Sequence, residues 1–100
     1  MLRMVDQTTL AKLRALEPEL RREGIASLFV FGSFARGQER RDSDIDLFCD
    51  LSPESKLGFG FFGLGDRIAE AVGRPVDLMT RDGLHRLIRD DVAREAIQVF

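Results

Sequence analysis

Asp44 and Asp46 stand two residues apart inside a stretch that is otherwise apolar, with Ile45, Leu47, Phe48 and Cys49 around them. No other feature constrains this chain so tightly. The apolar residues read as a buried strand, Asp44 to Asp50, and alternate side chains of a strand point to opposite faces. The two aspartates therefore share one face, while Ile45, Leu47 and Cys49 share the other. Carboxylates held a few ångströms apart repel one another, and partial burial makes their ionisation costlier still. A chain that keeps such a pair normally supplies a cation, and a divalent metal ion is the economical choice. The plain alternative is a pair of exposed edge-strand charges that discourage aggregation. That alternative leaves unexplained the Gly32-Ser33 pair upstream and the arginines between, Arg36, Arg40 and Arg41.

Around this stretch the chain divides into short elements. Residues 8–23 place Leu10, Leu13, Leu16 and Leu20 at helical spacing, with Thr8 or Thr9 as cap and Gly24 just past the end. Pro18 cannot continue an interior ladder of hydrogen bonds, which predicts a kink or break near Glu17. Ile25 to Phe31 reads as the first core strand. Ser33 to Gly37 can form one helical turn, and Gly37 to Asp42 a charged loop into the second strand, which Ser52 and Pro53 stop. A second helix is predicted from about Leu57 to Val72. Its first half carries Gly58, Gly60, Gly63 and Gly65, each costing up to ~1 kcal/mol in a helix interior, which predicts a loose or partner-held start. Phe59, Phe61 and Phe62 there are either core or a docking surface.

Pro75 opens a third strand, PVDLMT, in which Val76 and Leu78 face one way and Asp77 the other, on the polar face. In the tail, Leu84, Leu87, Ile88, Val92, Ala96 and Ile97 recur at helix-like intervals before a short β-like end. His85, the sole histidine, has no second nitrogen or thiolate nearby in sequence and reads as a surface or capping residue.

With 100 residues, 44% of them apolar and 32% charged, the chain has room for one small globular domain, residues 1–100. No apolar run approaches the ~20 residues that cross a membrane, and the N-terminus lacks a secretory block. The expectation is a cytoplasmic protein without membrane contact. Cys49 is the single cysteine, so no internal disulfide forms, and its place on the apolar face predicts a packed thiol. The net charge of −2 argues against a general nucleic-acid coat while permitting one local anion site. Thirteen of the fifteen basic residues are arginine, whose planar fork suits phosphate.

Three motif readings can be set aside. GxxxxGK[ST] is absent. Gly58, Gly60 and Gly63 match GxGxxG, but the glycines do not follow a strand directly and phenylalanines fill the gaps. Asp42, Asp44 and Asp46 imitate the start of a calcium loop, yet Leu47 stands where the sharp turn needs glycine. What remains is Gly32-Ser33, ten intervening residues, Asp44-Ile45-Asp46, and Asp77 on a neighbouring strand. Glycine lets phosphates approach the backbone, and the serine hydroxyl and the first amides of the turn donate to phosphate oxygens. Asp44 and Asp46 suit one or two Mg²⁺ ions, and Asp77 a base or a further metal ligand.

The runs GSFARGQERRDSDIDLFCDL and GRPVDLMT resemble the signature of the minimal nucleotidyltransferases of the polymerase-β superfamily, and the likeness spans most of the chain. The resemblance implies an α/β fold (α+β) with a small mixed sheet of three to four strands and helices mainly on one face. It implies Mg²⁺-dependent transfer of a nucleotide from a triphosphate such as ATP. Gly32 and Ser33, with Arg36 and Arg41, would then bind the nucleotide, and Asp44, Asp46 and Asp77 would be the catalytic, metal-binding carboxylates. Members this short are similar to antitoxins that neutralise HEPN ribonuclease toxins by adding AMP to a toxin tyrosine. This chain contains no tyrosine, so such an acceptor must sit on a partner. Two alternatives stay open: a nucleotide-binding antitoxin that acts by contact alone, and transfer to a small molecule.

Overall fold

A computed structural model describes residues 6–37, 44–53, 60–84 and 89–100, with 60–62 in backbone only. The first predicted helix divides in two, α1 (Gln7–Ala15) and α2 (Glu17–Arg22), with the break at Leu16 and Pro18 in the first turn of α2. Proline fits there because first-turn N–H groups have no intrahelical partner. The cap of α1 is Asp6, not Thr8 or Thr9. Its carboxylate accepts from the amides of Thr8 and Thr9 at 3.0 and 3.2 Å and from the Thr9 hydroxyl at 2.8 Å. The Thr9 hydroxyl above all, with the amides, holds the Asp6 pKa below its ordinary value.

Four strands are described: β1 (Ile25–Phe31), β2 (Ile45–Leu51), β3 (Val76–Thr80) and β4 (Ile97–Gln98). They form one mixed sheet in the order β3-β2-β1-β4. β1 pairs antiparallel with both β2 and β4, and β2 pairs parallel with β3. A register shift between Ile25 and Ser27 sets an extra residue into β1. Side chains alternate, so this bulge turns Ile25 to the same face as Leu28 and Val30, where it is buried.

That face carries Leu28, Val30, Ile45, Leu47 and Cys49. They share one core with Leu10 and Leu13 of α1, Leu20 of α2, and Leu64, Ile68 and Val72 of α4 (Gly60–Val72). Burying each such side chain stabilises by roughly 1.5–3 kcal/mol. Helix α4 comes down closely on β3, because a Cβ added at Gly65 would lie 3.6 Å from that of Leu78. Gly63 sits within the helix with nothing within 4 Å of its missing Cβ, so no close packing among the described residues explains it. Residues 57–59 of the predicted helix lie outside the described residues, as does His85.

The opposite face holds Phe29 and Phe31, Asp46, Phe48 and Asp50, and Asp77 and Met79. Phe48 is fully buried there. Its ring stacks on Phe29 with centroids 4.8 Å apart and an interplanar angle of 14°, and Phe31 tilts against it at 5.6 Å.

The tail has its predicted helix and short β-like end, but the strand starts earlier and takes Ile97 out of the helical stripe. A 3-10 turn (Arg81–Gly83) follows β3, α5 is described over Arg89–Glu95, residues 85–88 lie outside the described residues, and the chain then enters the sheet. The Val99 amide donates to the Leu28 carbonyl at 2.8 Å and the Leu28 amide to the Phe100 carbonyl at 3.0 Å. Satisfying the free edge of β1 outweighs helical periodicity in this segment.

Cys49 is a packed thiol, as its position predicts. Burial first, and the Asp50 charge second, push its pKa up to about 11. At pH 8 the folded protein is therefore expected to react with a maleimide far more slowly than the same chain in urea. Equal rates would mean that the thiol is not packed.

No helix among the described residues is long and apolar enough to cross a membrane.

Candidate active site

β1 delivers the chain to Phe31, which lies opposite Asp46 in the antiparallel ladder. Gly32 then turns the backbone with φ +73° into α3 (Gly32–Ala35). A Cβ built on Gly32 would stand 2.6 Å from Oδ2 of Asp46. Glycine is thus required twice at this position, for a left-handed backbone and for room beside a carboxylate. Ser33 follows in the turn and is half-buried, while Phe34 and Ala35 are buried and anchor the turn to the core. Arg36 ends α3 and reaches Oε2 of Glu95 on α5 at 3.4 Å.

The second strand enters beside the third. The Ile45 amide donates to the Pro75 carbonyl at 2.9 Å, Ile45 pairs with Val76, and Asp46 pairs with Asp77. Paired positions of a parallel ladder point to the same face, so Asp46 and Asp77 sit side by side, with Asp44 two residues upstream of Asp46 on that face. Asp44 and Asp77 are exposed and Asp46 is half-buried. The pKa of Asp46 is raised, chiefly by burial, then by the charges of Asp77 and Asp44, against a smaller opposing pull from Arg36.

The structure therefore brings Gly32, Asp46 and Asp77 together, with Asp44, Ser33 and Arg36 alongside. Arg41 lies outside the described residues. Among the described residues, no three His, Cys, Asp or Glu side chains are disposed to hold a metal ion as they stand. The donor set nonetheless fits a hard divalent cation: it offers carboxylate oxygens alone, and their mutual repulsion is what a cation would relieve.

One pair on this face escaped the sequence reading. Asp50, four residues beyond Asp46, accepts two hydrogen bonds from Arg81, four residues beyond Asp77, from Nε at 2.7 Å and Nη2 at 2.9 Å. The signal was the common offset: a ladder that sets Asp46 beside Asp77 also sets Asp50 beside Arg81.

The nucleotidyltransferase domain family matches residues 13–99. The chain belongs to that family. Among relatives of this nucleotidyltransferase domain, the protein adenylyltransferase MntA of Thermococcus cleftensis is 35% identical over 88 residues, covering 87% of this chain and 88% of the relative. A solved structure of a candidate minimal nucleotidyltransferase is 34% identical, with a TM-score of 0.78 over 94% of this chain and 95% of that one. A chain of the MntA–HepT toxin–antitoxin complex shares the fold at 19% identity, with a TM-score of 0.67 over 95% of this chain and 72% of its own length. The matched region contains Gly32, Ser33, Asp44, Asp46 and Asp77.

Proposed function

We propose that this chain is a Mg²⁺-dependent protein adenylyltransferase that moves AMP from ATP onto a tyrosine of a HEPN-type toxin and thereby acts as its antitoxin. The observation that carries the reading is the convergence of Asp46, its ladder partner Asp77 and the Cβ-less backbone of Gly32. Membership of the nucleotidyltransferase family and the 35% identical adenylyltransferase support the chemistry. Toxin–antitoxin complexes among the structural neighbours, one holding an AMPylated HEPN toxin, suggest the partner.

In this reading the triphosphate lies against Gly32, where no side chain blocks the backbone, and the Ser33 hydroxyl donates to a phosphate oxygen. Arg36, at the end of the same turn, and Arg41 add positive charge toward the phosphates. Asp44 and Asp46 would hold the metal, with Asp77 as a further ligand or as the base. Bound there, Mg²⁺ would neutralise triphosphate charge and ease departure of pyrophosphate. The tyrosine oxygen forms a bond to the α-phosphorus, the bond from that phosphorus to the bridging oxygen breaks, and pyrophosphate leaves. Asp77, exposed beside Asp46, accepts the tyrosine proton. The acceptor belongs to the partner, since this chain has no tyrosine. ATP supply places the reaction in the cytoplasm, and residues 1–100 serve as one catalytic domain.

Incubation with the toxin and ATP labelled in the α-phosphate tests this directly. Label is expected on a toxin tyrosine, with release of pyrophosphate. Neutralisation of the toxin without any label would leave an antitoxin that works by contact, and turnover without a protein acceptor would point to a small-molecule substrate.

A further inference from the structure

We infer that Arg81 and Asp50 form a register clamp that holds Asp77 beside Asp46, which makes Arg81 a positioning residue for the transfer reaction. The inference rests on the reading above in one respect, that the Asp46–Asp77 pair does the chemistry.

Strand β3 has five residues and pairs on one side only, with β2. Its apolar side chains, Val76 and Leu78, alternate with Asp77 and Met79. A slip of two residues along β2 would therefore preserve every inward and outward assignment. It would also carry Asp77 past Asp46, opposite Asp44 or Phe48. Inward–outward alternation alone does not forbid that slip, although it would carry Leu78 away from Gly65.

Arg81 can forbid it. The planar guanidinium meets both oxygens of Asp50 at 2.7 and 2.9 Å, a two-point contact that fixes direction as well as distance. The same guanidinium lies 5.0 Å from the ring centroids of both Phe29 and Phe48, so it is held against β1 and β2 together. The offset that joins Asp50 to Arg81 is the offset that joins Asp46 to Asp77. In a ladder slipped by two, Arg81 would face Phe48 or Ser52 and lose the fork. Thr80 reinforces the turn that presents Arg81, its hydroxyl accepting from the Gly83 amide at 3.2 Å. As a surface ion pair the contact would contribute little to global stability; its effect is on which register is populated.

The test compares Arg81→Met, Asp50→Asn and the conservative Arg81→Lys with wild type in the full chain. Arg81→Met and Asp50→Asn are expected to lower kcat for AMP transfer about 10- to 100-fold with little change in the KM for ATP, since Gly32 and Ser33 are untouched. Arg81→Lys, which keeps the charge and loses the fork, is expected to recover part of kcat. Amide hydrogen exchange in residues 76–80 is expected to quicken in Arg81→Met while exchange in β1 stays slow. Variants that keep wild-type kcat and wild-type exchange in β3 would overturn the clamp, and so would a uniform loss of protection across the sheet. If wild type itself transfers no AMP, the functional reading fails, and exchange in β3 still decides the clamp.

Discussion

Asp46→Asn is expected to abolish AMP transfer, by about 10²- to 10³-fold or more, and at the same time to raise the melting temperature at neutral pH. The loss follows from the place of Asp46, beside Asp77 in the ladder and against the Gly32 backbone. The gain follows from its titration. Burial, then Asp77 and Asp44, raise its folded pKa above the ordinary 3.8. The folded state then holds this proton more tightly than the unfolded chain does. Stability on this account falls as pH climbs from 3.8 through the folded value, and the deficit persists above it. Asparagine carries no charge at any pH and removes the deficit, whereas below pH 3.8 both side chains are neutral and the difference should vanish. Thermal melts of the metal-free protein at pH 7 and pH 3 check the sign. A variant that melts lower at pH 7, or that still transfers AMP, would show that Asp46 is not a strained functional carboxylate.

Gly32→Ala should damage the protein by a different route. Alanine in a left-handed backbone costs roughly 1–2 kcal/mol, and here its Cβ would also stand 2.6 Å from the Asp46 carboxylate. Either the carboxylate swings away or the turn carrying Ser33 moves, and a displacement of about 1 Å at a reacting centre can cost about 10²-fold in rate. Urea unfolding separates the two contributions. Introducing Gly32→Ala into an Asp46→Ala background removes the steric clash and leaves the backbone strain alone, so the stability loss should shrink. A Gly32→Ala protein as active and as stable as wild type would mean that the backbone at residue 32 does not lie against Asp46.

Much of this arrangement is legible in the sequence. Alternation in the second and third strands set Asp44, Asp46 and Asp77 on one face, because a strand's period of two follows from covalent geometry alone. The break near Glu17 was legible because Pro18 lacks an N–H. Less accessible was whatever depends on long-range pairing. The bulge that turns Ile25 inward is a property of the β1–β2 ladder. The Asp50–Arg81 pair joins residues thirty-one apart, and it becomes visible only once the strands are known to run parallel. Phe48 shares the acidic face and is buried there because Phe29 and Phe31 come alongside from β1. In the tail, Ala96 and Ile97 fit a helical stripe as well as a strand. The open edge of β1 decides between them, and no local pattern reports that an edge is open.

The most direct measurement is a crystal structure of the chain with Mg²⁺ and a non-hydrolysable ATP analogue. Asp44 and Asp46 should ligate the metal, Asp77 should turn toward it or toward the α-phosphate, and the phosphates should rest on Gly32 with the Ser33 hydroxyl donating to them. Nucleotide bound away from Gly32, or Asp77 directed away from Asp46 in the bound state, would contradict the assignment of this face as the catalytic site.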